Sequence, residues 1–146
     1  MSKIVDFNGI GYVAATFPVD DTTIAYLKAN HLNAKTGNVD INGKNLAVKM
    51  GADGKVGFGA ASTQTAADAL LGIIVAYEQD GFASVQIAGG VDEVPTAEAV
   101  TTGRKELVVD EKGKVKVLAS TSSAAGGRGT TVAKSDTANK LVSILL

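Results

Sequence analysis

The chain has 146 residues, no cysteine, and a formal net charge of −1 from 14 basic and 15 acidic side chains. That length suits one domain with a substantial core, and the missing cysteine excludes disulfides, thiolate metal sites and a cysteine nucleophile. The basic residues are scattered and only Arg104 and Arg128 are arginines; phosphate recognition favours guanidinium groups on a basic face, so nucleic acid is not the expected partner.

No apolar run reaches the roughly 20 residues that a membrane helix requires. The N-terminal stretch MSKIVDFNGIGYVAATF is broken by Asp6, Asn8, Gly9 and Gly11 and lacks the apolar centre of a signal peptide. The expectation is a chain that folds where it is made and has no membrane partner. Seventeen glycines, seven Phe or Tyr and no Trp point to a β-rich fold with many turns. Its core must then be filled by Ala, Val, Ile and Leu.

In chain order, residues 1–20 alternate loosely through Ile4, Phe7, Ile10, Tyr12 and Val13 and read as an extended arm or a first edge strand. Asp20-Asp21-Thr22-Thr23 offers an N-cap, and Ile24, Leu27 and His31 follow at helical spacing, which predicts a short helix over 22–31. The segment 33–45 is turn-rich, with a short strand expected around Val39 and Ile41. Val48 and Met50 alternate, Gly54 turns, and Val56, Phe58 and Ala60 alternate again, which is a hairpin. After an Ala/Ser/Thr link over 60–69, LLGIIVAY reads as a buried strand. Asp80-Gly81 turns the chain into a strand through Ala83, Val85 and Ile87.

A shift of 59 residues then superposes the pattern on itself. Leu107 and Val109 fall on Val48 and Met50, the turn Lys112-Gly113-Lys114 falls on Asp53-Gly54-Lys55, and Val132 falls on Ile73. Val142, Ile144 and Leu146 fall on Ala83, Val85 and Ile87. Identities are few, but turn position and alternation coincide, and a one-residue slip would turn every side chain to the wrong face. The expected architecture is mainly β: a β-barrel or β-sandwich built from two pseudo-repeated strand sets, 46–87 and 105–146, in a single domain with an N-terminal extended arm over 1–20 and one short helix.

Candidate chemistry is sparse. Ala47-Val48-Lys49-Met50 comes close to the A-M-K-M hairpin of biotin carriers, but Lys49 lies in a strand and not at the turn, and the second repeat has Val108 at its place. Scaffolding is the better reading, and no cofactor is expected. GNVDINGKN has five residues between its glycines and no hydroxyl after the lysine, so it lacks the spacing of a phosphate loop. AAGGRGTT over 124–131 reads as a surface loop. His31 is the single histidine and is expected to be solvated or capping. Asp20-Asp21 suits a helix cap, while Asp92-Glu93 and Asp110-Glu111 read as solvated loops without calcium-loop spacing. No metal site and no enzymatic activity are expected.

The order LAVKMGADGKVGFGAAS, LLGIIVAYEQDGFASVQIAGGV, TTGRKELVVDEKGKVKVLAS and GTTVAKSDTANKLVSILL resembles the small capsid decoration, or cement, proteins of tailed bacteriophages. The pieces that carry the likeness are Asp53-Gly54-Lys55-Val56, Gly72–Val75, Val85–Gly89, Thr102-Gly103, Gly113-Lys114 and Leu141–Leu146, all within 46–146. Arg104 stands where that family often has an acid, Gly129-Thr130-Thr131 replaces a Gly-apolar start, and 1–45 has no counterpart. The resemblance implies a non-enzymatic virion protein, made in the host cytoplasm and seated on the capsid exterior. Its partners would be the major capsid protein and further copies of itself, as a homo-dimer or homo-trimer on the shell. Ile4, Phe7, Ile10 and Tyr12 are the expected capsid or subunit interface. A tail-tube or fibre-base module and a host- or carbohydrate-binding β-module remain alternatives, the last disfavoured by the lack of aromatic platforms.

Overall fold

The structure, a computed structural model, describes residues 11–41, 43–118 and 127–146. The candidate interface residues Ile4, Phe7 and Ile10 lie outside them. Over these residues the chain is mainly β, as expected: two five-stranded antiparallel sheets and one α-helix. The first sheet holds β1 (Val13–Pro18), β2 (Ala47–Met50), β3 (Val56–Gly57), β4 (Leu70–Tyr77) and β5 (Phe82–Ala88). The second holds β6 (Gly90–Pro95), β7 (Gly103–Val109), β8 (Val115–Val117), β9 (Arg128–Asp136) and β10 (Leu141–Leu145).

The strand orders are β1-β5-β4-β2-β3 and β6-β10-β9-β7-β8, so each strand of the first sheet has its counterpart five strands later. Both sheets curl until their ends meet. Val19, just after β1, makes a parallel bridge to Val56 of β3, and Thr96, just after β6, makes one to Val115 of β8. Asp20 N–H donates to Val56 O and Ala97 N–H to Val115 O, each at 2.9 Å.

Register follows the 59-residue shift in the hairpins: Met50 pairs with Val56 and Val109 with Val115. In β4 and β9 it does not. Ile74 pairs with Val85 and Val132 with Ile144, so Val132 corresponds to Ile74 and not to Ile73. One residue fewer separates β8 from β9 in this sense, a change that a gap-free comparison cannot see. The same bulge recurs in both sheets. Val75 is skipped between Ile74 and Ala76, and Ala133 between Val132 and Lys134, where an extra residue bends the strand.

The core has two parts. Val19, Leu27, Val48, Val56, Ile74 and Val85 fill the first sheet's inner side. Val94, Leu107, Val109, Val115, Val132, Val142 and Ile144 fill the second, joined by Ala47, Leu70 and Ile73 from the back of the first sheet. Alternate side chains of β2 and β4 therefore enter different cores. This is why β4 is apolar from Leu70 to Ile74: a stretch covered on both faces has no solvent side on which to place polar residues, whereas Val75 and Ala76 run beyond the shared core and are exposed.

The helix α1 (Asp21–Asn30) begins one residue earlier than the pattern predicts. Asp20 is its N-cap, with the carboxylate accepting from Thr23 N–H at 2.7 Å. Leu27 is fully buried, which stabilises by about 1.5–3 kcal/mol. Thr23 is buried as well, its hydroxyl accepting from Phe58 N–H at 2.9 Å.

Three expectations need correction. Val39 and Ile41 are buried anchors of a loop and not a strand; Val39 makes only an isolated bridge to Leu32. Asp92-Glu93 lies within strand β6 and not in a solvated loop; Glu93 has φ +55, and this left-handed kink breaks the alternation by which a strand is recognised. Residues 128–131 of the expected surface loop belong to β9, pairing with β7, while 124–126 lie outside the described residues.

Candidate functional site

The residues that invited a chemical reading hold structural positions. Lys49 sits on β2, and its ammonium pairs with the Asp68 carboxylate at 3.1 Å. Asp68 is buried and closes a short 3-10 turn (Ala66–Asp68) as part of a capping box with Thr65. Its oxygens also accept from Ala60 N–H at 3.2 Å and Thr65 N–H at 2.9 Å. The lysine that resembled a cofactor anchor thus completes the shell of a buried carboxylate.

Arg128 occupies an equally structural place. From β9 in the second sheet, its guanidinium donates to the carbonyls of Leu71 and Ile87 in the first. It clamps one sheet to the other, and burial pulls its pKa below the ordinary value. A surface-loop reading of this stretch missed the clamp, because nothing local marks an arginine whose acceptors are carbonyls from another sheet.

His31 is the C-cap of α1, its backbone N–H donating to Leu27 O at 2.8 Å. The ring lies 6.0 Å from that of Tyr26 and beside a cleft of about 320 Å³ lined by Asn30, Leu32, Asp40 and Lys44. Desolvation and then the nearby Lys44 ammonium lower its pKa below 6.5. A lowered histidine pKa means that the unfolded chain takes up the proton first. The neutral ring's contribution is thus whole above pH 6.5 and is lost as pH falls from there through the folded-state value. The melting temperature should therefore decline over that window, and the His31→Asn variant should show a shallower decline; equal slopes in a thermal-melt pH series would refute the assignment.

A second cleft of about 280 Å³ lies where α1 meets the β7–β8 turn, lined by Tyr26, Phe58, Glu111 and Lys112 among others. Tyr26 packs edge-on against Phe58, with ring centroids 5.3 Å apart. Asp110 is buried and caps the β7–β8 turn, accepting from Lys112 N–H and Lys114 N–H at 2.9 and 2.8 Å. Asp92 accepts from the Ser143 hydroxyl at 2.8 Å. Among the described residues, no three of His, Asp and Glu come together as a metal site.

Most of the exposed large apolar side chains among the described residues lie on or beside the first sheet. Tyr12 is 67% exposed and Val13 56% at the start of β1, with Val75 and Phe82 exposed on β4 and β5. Tyr12 is thus the one candidate interface residue that the structure describes, and it is presented outward. The chain reaches it by a close approach to Gly89, where an added Cβ would stand 2.7 Å from Gly11 O and 2.8 Å from Tyr12 Cβ. Gly89, at φ +98, also accepts the Leu146 N–H at 2.8 Å. The start of β1, the β5–β6 junction and the C-terminal residue therefore meet at one point. The exposure of Val75 was not legible in the sequence, because LLGIIVAY read as a buried strand, whereas Phe82 falls on the face opposite Ala83, Val85 and Ile87, which alternation leaves outward.

Comparison with family models, with curated proteins and with solved structures finds no match to this chain.

Proposed function

We propose that the chain is a structural virion protein that binds the outer surface of an icosahedral phage capsid and stabilises the lattice of major capsid protein. The likeness of its strand-and-turn order over 46–146 to capsid decoration proteins supports this reading. The observation that carries it is the exposed apolar stretch Tyr12-Val13 at the start of β1, with further exposed apolar side chains on the same sheet at Val75 and, at the other end of the β1–β5 pair, Phe82. Exposed apolar surface of this kind marks contact with another macromolecule. Many copies, each bound weakly, would brace a shell because they bind only its assembled form and repeat by symmetry.

The test is direct. Purified protein is mixed with undecorated, expanded phage capsids, pelleted, and quantified on a gel. Saturation at a fixed copy number per shell, with greater heat resistance of the shell, is the expected result. Absence of binding to every mature or expanded shell would overturn the reading and move a tail-tube or fibre-base role to the front.

A further inference from the structure

An open antiparallel sheet ends in strands whose outer N–H and C=O groups invite another strand, and proteins guard such edges by shortness, charge, bulges or a cover. Four strands end the two sheets here: β1, β3, β6 and β8. β3 and β8 are guarded by length, at two and three residues. β6 has six residues, but it carries Asp92 and Glu93, a left-handed kink at Glu93 and a register shift against β10. It is also covered: Asn45 Nδ2 donates to Asp92 O at 2.8 Å and to Glu93 O at 3.3 Å.

β1 occupies the place in the first sheet that β6 holds in the second; it shares a register shift, between Val13 and Ala14, and ends in Pro18, but among the described residues it has neither β6's charges nor its cover. Its sequence, VAATFP, carries no charge, and among the described residues its one ladder partner is β5. Tyr12, Val13, Ala14 and Thr16 are exposed along it. Only its far end is held, by the Val19 bridge to Val56. The internal repeat thus supplies its own control: among the described residues, the same edge is covered in one sheet and uncovered in the other.

We infer that β1 is a self-association edge and that its occupant is β1 of a second copy, paired antiparallel across a two-fold axis. The occupant follows from the edges themselves. Among the described residues a second copy offers one long edge without charge or cover, β1 itself, so the contact is isologous and closes at the dimer, where a contact between unlike patches could propagate. The charge pattern agrees. In an antiparallel pairing centred near Ala15, Ala14 and Thr16 of one copy face Thr16 and Ala14 of the other, and no like charges oppose. The chain's net charge of −1 adds little long-range repulsion. Pairing would join the two first sheets into one continuous sheet. The inference concerns the free protein and stands apart from the capsid reading.

The experiment is sedimentation of the full chain over a concentration series, without capsids, beside an Ala14→Lys/Thr16→Lys variant. Both sites are exposed, so the variant should keep the wild-type circular dichroism and melt, and a Thr101→Lys/Thr102→Lys protein serves as the charge-matched control. The expected result is a monomer–dimer equilibrium in the wild type and the control. In the variant the dissociation constant should rise at least about tenfold, because lysines then face each other across the axis. Amide exchange at Val13–Phe17 should slow with rising concentration in step with the dimer fraction. A monomer at all concentrations whose β1 amides are nonetheless protected would overturn the proposal in favour of residues 1–10 covering the edge. A dimer indifferent to the two lysines, or open-ended polymers, would equally overturn it.

Discussion

Asp68→Ala is expected to lower the unfolding free energy by about 3 kcal/mol, the scale for removing one partner from a buried, hydrogen-bonded ion pair. Three interactions go at once: the Lys49 ammonium at 3.1 Å, and the backbone N–H groups of Ala60 and Thr65. Those N–H groups lose an acceptor inside the fold, and an unsatisfied donor there costs its full desolvation. The 3-10 turn over Ala66–Asp68 also loses its capping box, immediately before β4, the strand that both parts of the core share. Urea denaturation reads the loss, and the melting temperature should fall by roughly 6–12 °C for a chain of this size. Lys49→Met should cost less, because the carboxylate keeps its two N–H donors and the methionine retains the apolar stem. A double-mutant cycle between the two positions should show coupling. A loss below about 1 kcal/mol for Asp68→Ala would show that the pair is surface-like in its energetics.

Gly59→Ala is expected to be comparably severe for a different reason. Gly59 lies on the seam between the two sheets, its N–H donating to Asp110 O at 2.9 Å. A Cβ there would stand 1.8 Å from the Val109 carbonyl oxygen, which belongs to backbone and cannot swing aside. Nearby, Ala47 N–H donates to Gly113 O at 2.8 Å, and an added Cβ at Gly113 would meet the Phe58 ring at 2.6 Å. The seam is therefore close-packed on both sides, and overpacking at such a site costs typically 1–3 kcal/mol and occasionally more. We expect about 3 kcal/mol in denaturant unfolding. Gly11→Ala, where the added atom meets nothing within 4 Å among the described residues, should stay within about 0.5 kcal/mol of the wild type. If both variants melt alike, the seam is looser than the distances state.

The internal repeat gives these positions a common logic. The two sheets share strand order, end-to-end bridges and a bulge, yet they differ where each meets the other or meets solvent. Val108, at the place of Lys49, is fully buried against the first sheet and bridges Ala69. Met50, at the place of Val56's partner, is exposed, whereas Val109 in the same register is buried. A repeated plan thus carries two different surfaces, and the difference lies in which face of each strand its neighbour covers.

The sequence by itself determined what depends on neighbours along the chain. Asp20 before Thr23 specified the helix start through a local cap, Gly54 and Gly113 specified the turns through their positive φ, and LLGIIVAY announced a strand, covered on both faces from Leu70 to Ile74 though not at Val75 and Ala76. Alternation located the hairpins and the terminal strand, because a strand with one covered face shows a period of two. Tertiary structure alone decided the rest. Strand β6 was hidden by a kink at Glu93 that breaks that period, and β9 began earlier than its polar RGTT suggested because Arg128 spends its charge on carbonyls of the other sheet. The Lys49–Asp68 pair joins residues whose burial no local pattern encodes, and the one-residue offset that sets Val132 against Ile74 appears only in the pairing. That residues 1–20 hold an edge strand was one of two readings of the sequence, but that β6, at the matching edge, carries charge and cover which β1 lacks among the described residues appears only in the pairing. Local sequence acts through short-range sterics and periodicity, whereas coverage and edges are properties of how distant strands are brought together.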